Sequence, residues 1–386
     1  MMKRRTFILS SCASLLAFQR AEARSVSLSD EAIRAILRRR IDVEHLATGM
    51  AVGIVAGRRR RVIDYGKQDS ENSRSVAANT LFEIGSLTKV FTALVLADMV
   101  HRKELQFDDP VDRYLPSGMR SPQRNGRAIT LADLATHTSG LPMFPPITGN
   151  ALTQGTASAF FAALARYTSS DLSSWLGGLT LSRDPGAQWE YSNVGYGLLG
   201  LALAHKAGTT YEALLNSHII GPLKLKDTTL HPMGDATRRL VAGHDPKLTP
   251  IPPLEIGIFA PAGALRSTVE NLLRFVSAVL PNSRSPLETP AQLLLSIRRP
   301  APAVGGEQAL GWDVVNGTDP FVVKDGVTAG QAATIALDPP KQTGVVVLSN
   351  ALPVNLQPPP GGGVGAAELA RHLLRPALPL GEPTRR

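Results

Sequence analysis

Between Phe82 and Lys89 the chain reads FEIGSLTK, and VFTALVLADMV follows without a break. Leu87, Val90, Phe91, Leu94 and Val95 recur at helical spacing, and no proline or glycine interrupts them. The run predicts a helix buried inside a domain. Gly85 and Ser86 stand at its start, where backbone N–H groups lack partners and the helix dipole favours developing negative charge. Ser86 and Lys89 are three residues apart, so a helix brings both side chains to one face. A serine hydroxyl is a weak nucleophile until a neighbour takes its proton, and an amine desolvated by burial can titrate low enough to take it. The same residues also admit a plain reading, with Ser86 capping a helix and Lys89 solvated, because Ser-x-x-Lys alone is frequent by chance.

Two further boxes bear on that choice. Tyr191-Ser192-Asn193 follows the turn-rich DPGAQWE, and Lys324-Asp325-Gly326 lies in the strand-like FVVKDGV. A Ser-x-x-Lys, a Tyr-x-Asn and a Lys-x-Gly box in this order make the chain resemble the class C β-lactamases and their relatives among the penicillin-binding serine hydrolases. FEIGSLTK departs from that family's octet only at Thr88, where serine or alanine is usual. LATHTSGLP (134–142), PGAQWEYSNVGYGLLG (185–200) and PAGALRST (261–268) also resemble family segments.

The resemblance implies an acyl-enzyme at Ser86, with Lys89 as first proton acceptor. It implies that Tyr191 exchanges protons with the serine and the leaving group, given cations such as Lys89 and Lys324 to lower its pKa. Asn193 would hold Lys89 and the acyl amide, and Lys324 would steer a substrate carboxylate. Gly326 would leave room for substrate against its strand, and the N–H groups of Ser86 and Val327 would form the oxyanion hole. The plain alternative keeps Tyr191 and Asn193 as turn residues after Pro185-Gly186, and His137 of THTSG as a structural histidine. The family's substrates are β-lactams, D-Ala-D-Ala-type peptidoglycan amides and esters. The first two are the expected substrates; a carboxylesterase is the alternative, supported by two departures: Asp325 replaces the usual hydroxyl residue, and Phe144 stands where class C enzymes place a glutamine. A non-hydrolysing penicillin-recognising receptor is a third alternative.

The remaining chain fits one architecture. SLSDEAIRAILRRRI (27–41) predicts a first helix capped by Ser29. AVGIVA (51–56) and VIDY (62–65) flank the arginine run 58–61 as a hairpin does. From 81 to 304 the signals are mostly helical, with clear helices at Leu131–Ala135 and Leu198–His205 and long loops at 143–150 and 244–253. After 305, ALGWDVV, FVVKDGV, AATIALD and GVVVLSN read as consecutive antiparallel strands. The linker PPPGGG (358–363) then leads to a last helix, 366–374. The expected fold is α+β, an α/β sandwich of the β-lactamase/penicillin-binding transpeptidase type, as the resemblance also implies. A sheet subdomain (24–80 and 305–386) carries the terminal helices, and a helical subdomain (81–304) completes the cleft.

Residues 1–23 read as a secretory leader: MMKRR is the positive region, FILSSCASLLAF a short apolar core, and Ala21-Glu22-Ala23 the cleavage site. Arg4-Arg5-Thr6-Phe7 also fits a twin-arginine signal, and Leu9-Ser10-Ser11-Cys12 faintly resembles a lipoprotein box. Its apolar core is too short to span a bilayer. Cys12 is the one cysteine of the 386 residues, so disulfides and cysteine-ligated metals are excluded beyond the leader. The net charge of +9 is partly the leader's, leaving a mildly basic chain for which nucleic acid is not an expected partner. The eight histidines are scattered, and neither metal nor organic cofactor is expected. The sequence thus predicts a monomeric, periplasmic or secreted hydrolase.

Overall fold

The computed structural model describes residues 28–69, 74–146, 157–352 and 365–380. The leader, Cys12, the 358–363 linker and part of the 143–150 loop lie outside them. Helix α1 spans Asp30–Arg38, and the Ser29 hydroxyl accepts from the Ala32 N–H at 3.1 Å, as a capping serine should. The strands are β1 (Gly49–Ala56), β2 (Arg59–Gly66), β3 (Leu81–Glu83), β4 (Gly243–His244), β5 (Pro250–Ile251) and β6 (Arg266–Thr268). They continue with β7 (Arg299–Ala301), β8 (Gly306–Gln308), β9 (Asp313–Val315), β10 (Phe321–Val327), β11 (Ala332–Asp338) and β12 (Thr343–Ser349).

Eight strands form one antiparallel sheet in the order β2-β1-β12-β11-β10-β9-β8-β7; β3 pairs with β6 and β4 with β5. Early and late strands meet as expected, with Met50 opposite Ser349 and Ala56 opposite Thr343. Sheet pairing starts earlier than expected, at Arg299, through two short strands whose prolines and glycines hide any alternation. The hairpin turn is Gly57-Arg58, with Gly57 at φ +57°, and the other arginines of the run belong to β2. Arg61 there pairs with Asp30.

Both faces of the sheet are covered, so its central strands are apolar on both sides. Val345 and Val347 pack with Ile33 and Leu37 of α1 and with Leu369 and Leu373 of the last helix, Ala366–Leu374. Val346 and Leu348 face the other way, toward the helix Val269–Val279 and α2 (Thr88–His101). Every residue of α2 from Thr88 to Met99 is buried, the burial its unbroken apolar run predicted. Phe91 of α2 stacks on Phe275 at a ring separation of 4.3 Å, which fixes the helix against the layer covering the sheet.

A short 3-10 turn, Gly85–Leu87, precedes α2. Gly85 has φ +50°, and a Cβ there would lie 2.6 Å from the Val327 nitrogen. A Cβ at Gly326 would lie 2.0 Å from the Ile84 carbonyl oxygen and 3.0 Å from the Ser86 nitrogen. Strand and turn therefore touch backbone to backbone. Gly326 is needed for this contact.

Phe91→Ala should cost about 3–5 kcal/mol of unfolding free energy, and Phe91→Leu markedly less. Urea unfolding measures both; a loss below about 1 kcal/mol for the alanine variant would show that the stack does not anchor α2.

Candidate active site

Ser86 is the one residue between Leu81 and Met99 that keeps intermediate exposure. Its Oγ lies 3.0 Å from Lys89 Nζ and 2.7 Å from the Tyr191 hydroxyl. Lys89 is fully buried and donates further bonds to Asn193 Oδ1 (2.7 Å) and to the Ala262 carbonyl (2.7 Å). Asn193 and Ala262 take the two N–H bonds of a neutral amine, which leaves the Nζ lone pair to face Ser86 Oγ. Burial drives the Lys89 pKa well below the ordinary lysine value, and the Lys324 charge adds to this, with Asp313 opposing. A neutral amine so placed can accept the Ser86 proton. Thr88, the departure from the family octet, uses its hydroxyl structurally: it donates to the Gly85 carbonyl and accepts from the Leu265 N–H.

Tyr191 and Asn193 sit at the start of the helix Asn193–Lys206, which begins five residues before the Leu198 expected from sequence. Ser192 caps it, accepting from the Gly195 N–H at 2.9 Å and donating to the Pro142 carbonyl at 2.7 Å. The Asn193 N–H donates to the Met143 carbonyl, and the Ser192 N–H to His137 Nδ1 at 3.1 Å. The HTSGLPM stretch therefore holds the second box in place. His137 is buried, with its ring 4.4 Å from that of Tyr191. Burial, then Lys324 and Lys89, press its pKa well below the usual imidazole range, so it is neutral and carries its proton on Nε2.

Tyr191 departs from the expected electrostatics. Burial raises the phenol above its ordinary pKa, more than Lys324 and the Ser86 hydrogen bond lower it. Lys324 Nζ lies over the ring face, 5.4 Å from its centre, and is bound to Asp313, whose charge adds to the upward shift. Tyr191 is accordingly a neutral phenol that can donate a proton to a leaving group, with Lys89 as the group suited to remove one.

Lys324 projects from β10 on the Ser86 side, buried, with Nζ 3.2 and 3.3 Å from the two Asp313 oxygens. Asp313 holds the Lys324 ammonium above the ordinary lysine value although burial opposes it. Asp325 points to the opposite face, where it accepts from Thr334 Oγ1 at 2.9 Å and from Arg371 Nη2 at 2.7 Å. Val327, 40% exposed, ends the strand beside the turn that carries Ser86. Phe144 packs edge-on against Phe160 at 4.9 Å. Asp313, Arg371 and the Ala262 carbonyl are the site groups that the sequence did not single out.

A surface hollow lined by Val100, Lys103, Phe107 and Tyr114 lies at the other end of α2, about 20 Å from Ser86 by helical rise, and contains no comparable nucleophile and base.

The geometry accords with comparisons to known proteins. A family model described as Beta-lactamase matches residues 31–360. The D-alanyl-D-alanine-carboxypeptidase/endopeptidase AmpH of Escherichia coli (strain K12) is 30% identical over 325 residues, covering 80% of each chain. The structure of a β-lactamase/D-alanine carboxypeptidase from Yersinia pestis superposes with a TM-score of 0.69 at 25% identity, over 82% of this chain and 93% of the other. The corresponding Pseudomonas syringae structure gives 0.73 at 22% identity, over 91% of this chain and 100% of the other, a likeness of fold. The chain belongs to the Beta-lactamase family and is a serine hydrolase.

Proposed function

We propose that Ser86 attacks an amide or β-lactam carbonyl to form an acyl-enzyme, which water then hydrolyses. The observation that carries this reading is the fully buried Lys89 amine, 3.0 Å from a Ser86 hydroxyl that Tyr191 approaches from another side at 2.7 Å. In acylation Lys89 takes the Ser86 proton as Oγ bonds to the carbonyl carbon. The oxyanion sits between the N–H groups of Ser86 and Val327, whose backbones are held together by Gly85 and Gly326. Tyr191 protonates the departing nitrogen as the C–N bond breaks, and Lys89 restores the phenol's proton. In deacylation water reverses the sequence and Ser86 recovers its hydrogen.

Asn193 orients Lys89 and lies where the acyl amide can reach it, and Lys324 supplies positive charge beside the cleft. The substrate class follows the relatives' names: β-lactams and D-Ala-D-Ala-type peptidoglycan amides. The leader-like residues 1–23 support export to the periplasm or beyond, and among the described residues no helix is long and apolar enough to cross a membrane. A second reading, ester hydrolysis by the same acyl-enzyme, is favoured by Phe144, whose ring joins Phe160 in an apolar wall.

A fluorescent penicillin should add its mass to Ser86, and Ser86→Ala should abolish the adduct; persistent labelling of that variant in intact-mass spectra would refute the assignment. Tyr191→Phe should lower kcat by roughly 10²–10⁴-fold, as loss of a positioned proton donor does. Because the neutral form of Lys89 is the active one, kcat/KM should fall as pH drops through its depressed pKa. Lys324→Gln removes a cation that depresses it, so this acid limb should move to higher pH; a limb that stays in place would point to another base.

A further inference from the structure

Two buried amines lie over the Tyr191 ring, Lys89 Nζ at 4.8 Å and Lys324 Nζ at 5.4 Å from its centre. The acyl-enzyme reading asks opposite things of them. Lys89 must be neutral to take the Ser86 proton, and Lys324 must stay charged to supply a cation beside the cleft. Burial acts against the charged form of both, so desolvation does not tell them apart.

Their partners do. Lys89 meets only neutral groups: the Ser86 hydroxyl, the Asn193 amide oxygen and the Ala262 carbonyl. Lys324 meets a carboxylate, with Nζ 3.2 and 3.3 Å from the two Asp313 oxygens, and both side chains are buried. Strand β9 begins at Asp313, which pairs with Val323, so its carboxylate reaches the next residue, Lys324, across the end of the ladder. Burial opposes the Lys324 charge and Asp313 sustains it, ahead of Tyr191 and Asp325. Burial also raises the Asp313 carboxyl, Lys324 and Arg371 lower it, and Asp325 adds to the rise. An ammonium held on Lys324 in turn works against one on Lys89 and against a charged His137.

We propose that Asp313 is a positioning residue that places the site's proton: it holds the ammonium on Lys324 and so leaves Lys89 as the free amine beside Ser86. The use of that placement in catalysis rests on the acyl-enzyme reading, which it deepens by assigning the choice between two lysines to a carboxylate on β9.

The intact protein carrying carbon-13 at lysine Cε reports both amines by NMR, with Lys89→Gln and Lys324→Gln identifying their signals. In the wild type Lys89 should titrate at lower pH than Lys324. Asp313→Asn should move the Lys324 titration to lower pH and narrow the gap, whereas Asp313→Glu, which keeps a carboxylate, should preserve it. The second-order rate of Ser86 acylation by a fluorescent penicillin, followed against pH, gives the functional readout. Where the wild type still holds Lys324 charged on the alkaline side, Asp313→Asn should be slower by about tenfold, with a smaller loss on the acid side. A merely structural role would lower the rate by one factor at every pH. A Lys324 titration unmoved by Asp313→Asn, or a uniform rate loss, overturns the proposal. Should Asp313→Asn fail to fold by circular dichroism, the order of the wild-type titrations decides, and Lys324 titrating at or below Lys89 overturns it. Absence of any adduct on wild-type Ser86 by intact mass refutes the acyl-enzyme reading instead, and the titrations still decide where the proton sits.

Discussion

An amine buried at the start of a helix sets the terms for this structure. Lys89 sits fully enclosed in α2, and an enclosed lysine is tolerated only with its hydrogen-bonding capacity met and its charge suppressed. Its hydrogen-bond partners come from the turn just before its own helix, from the helix that begins at Asn193 and from the segment around Ala262. Holding those three segments together fixes where the helical part of the chain meets the sheet. The same desolvation that makes Lys89 costly to bury makes it a base.

Around that amine the charges are arranged in closed pairs. Asp313 answers Lys324 inside the site, and Asp325 answers Arg371 on the other face of the same strand. Tyr191 and His137 lie among these groups and are both neutral, the first because burial outweighs a cation placed over its ring face and bound to Asp313, the second because burial and two lysines act together. Proton movement is thereby confined to a short path among Ser86, Lys89 and Tyr191. A buried charge left without its partner is strongly destabilising, so the buried Lys324–Asp313 pair also ties β10 to β9.

What could be read from the sequence follows the range of each interaction. Ser86 and Lys89 were legible because a helix turns a three-residue spacing into contact, and α2 because its apolar run admits only burial. Tyr191, Asn193 and Lys324 were legible through the order of the boxes, and β10 to β12 through short apolar runs parted by turn residues. Asp313 and Arg371 stand 11 and 46 residues from their partners, and the Ala262 carbonyl 173 from Lys89. No local pattern encodes such pairs. The orientation of Asp325 was left open by sequence and is settled by alternation along a paired strand. The raised proton affinity of Tyr191 comes from burial that outweighs the nearby cation, and composition does not contain that balance. Strands β7 and β8 are too short and too rich in proline and glycine to leave a periodic trace.

The pairing of β1 with β12 joins residues near 50 to residues near 345. A ribosome making this chain releases the nucleophile and its base long before β10 and β12 exist. Until those strands emerge, the Ser86 turn has no Gly326 to rest against and Lys89 has no enclosure, so its amine stays protonated. Contacts of such sequence separation form slowly. A chain that still lacks β10 and β12 therefore has no assembled site, and the hydrolase becomes competent only once the sheet closes.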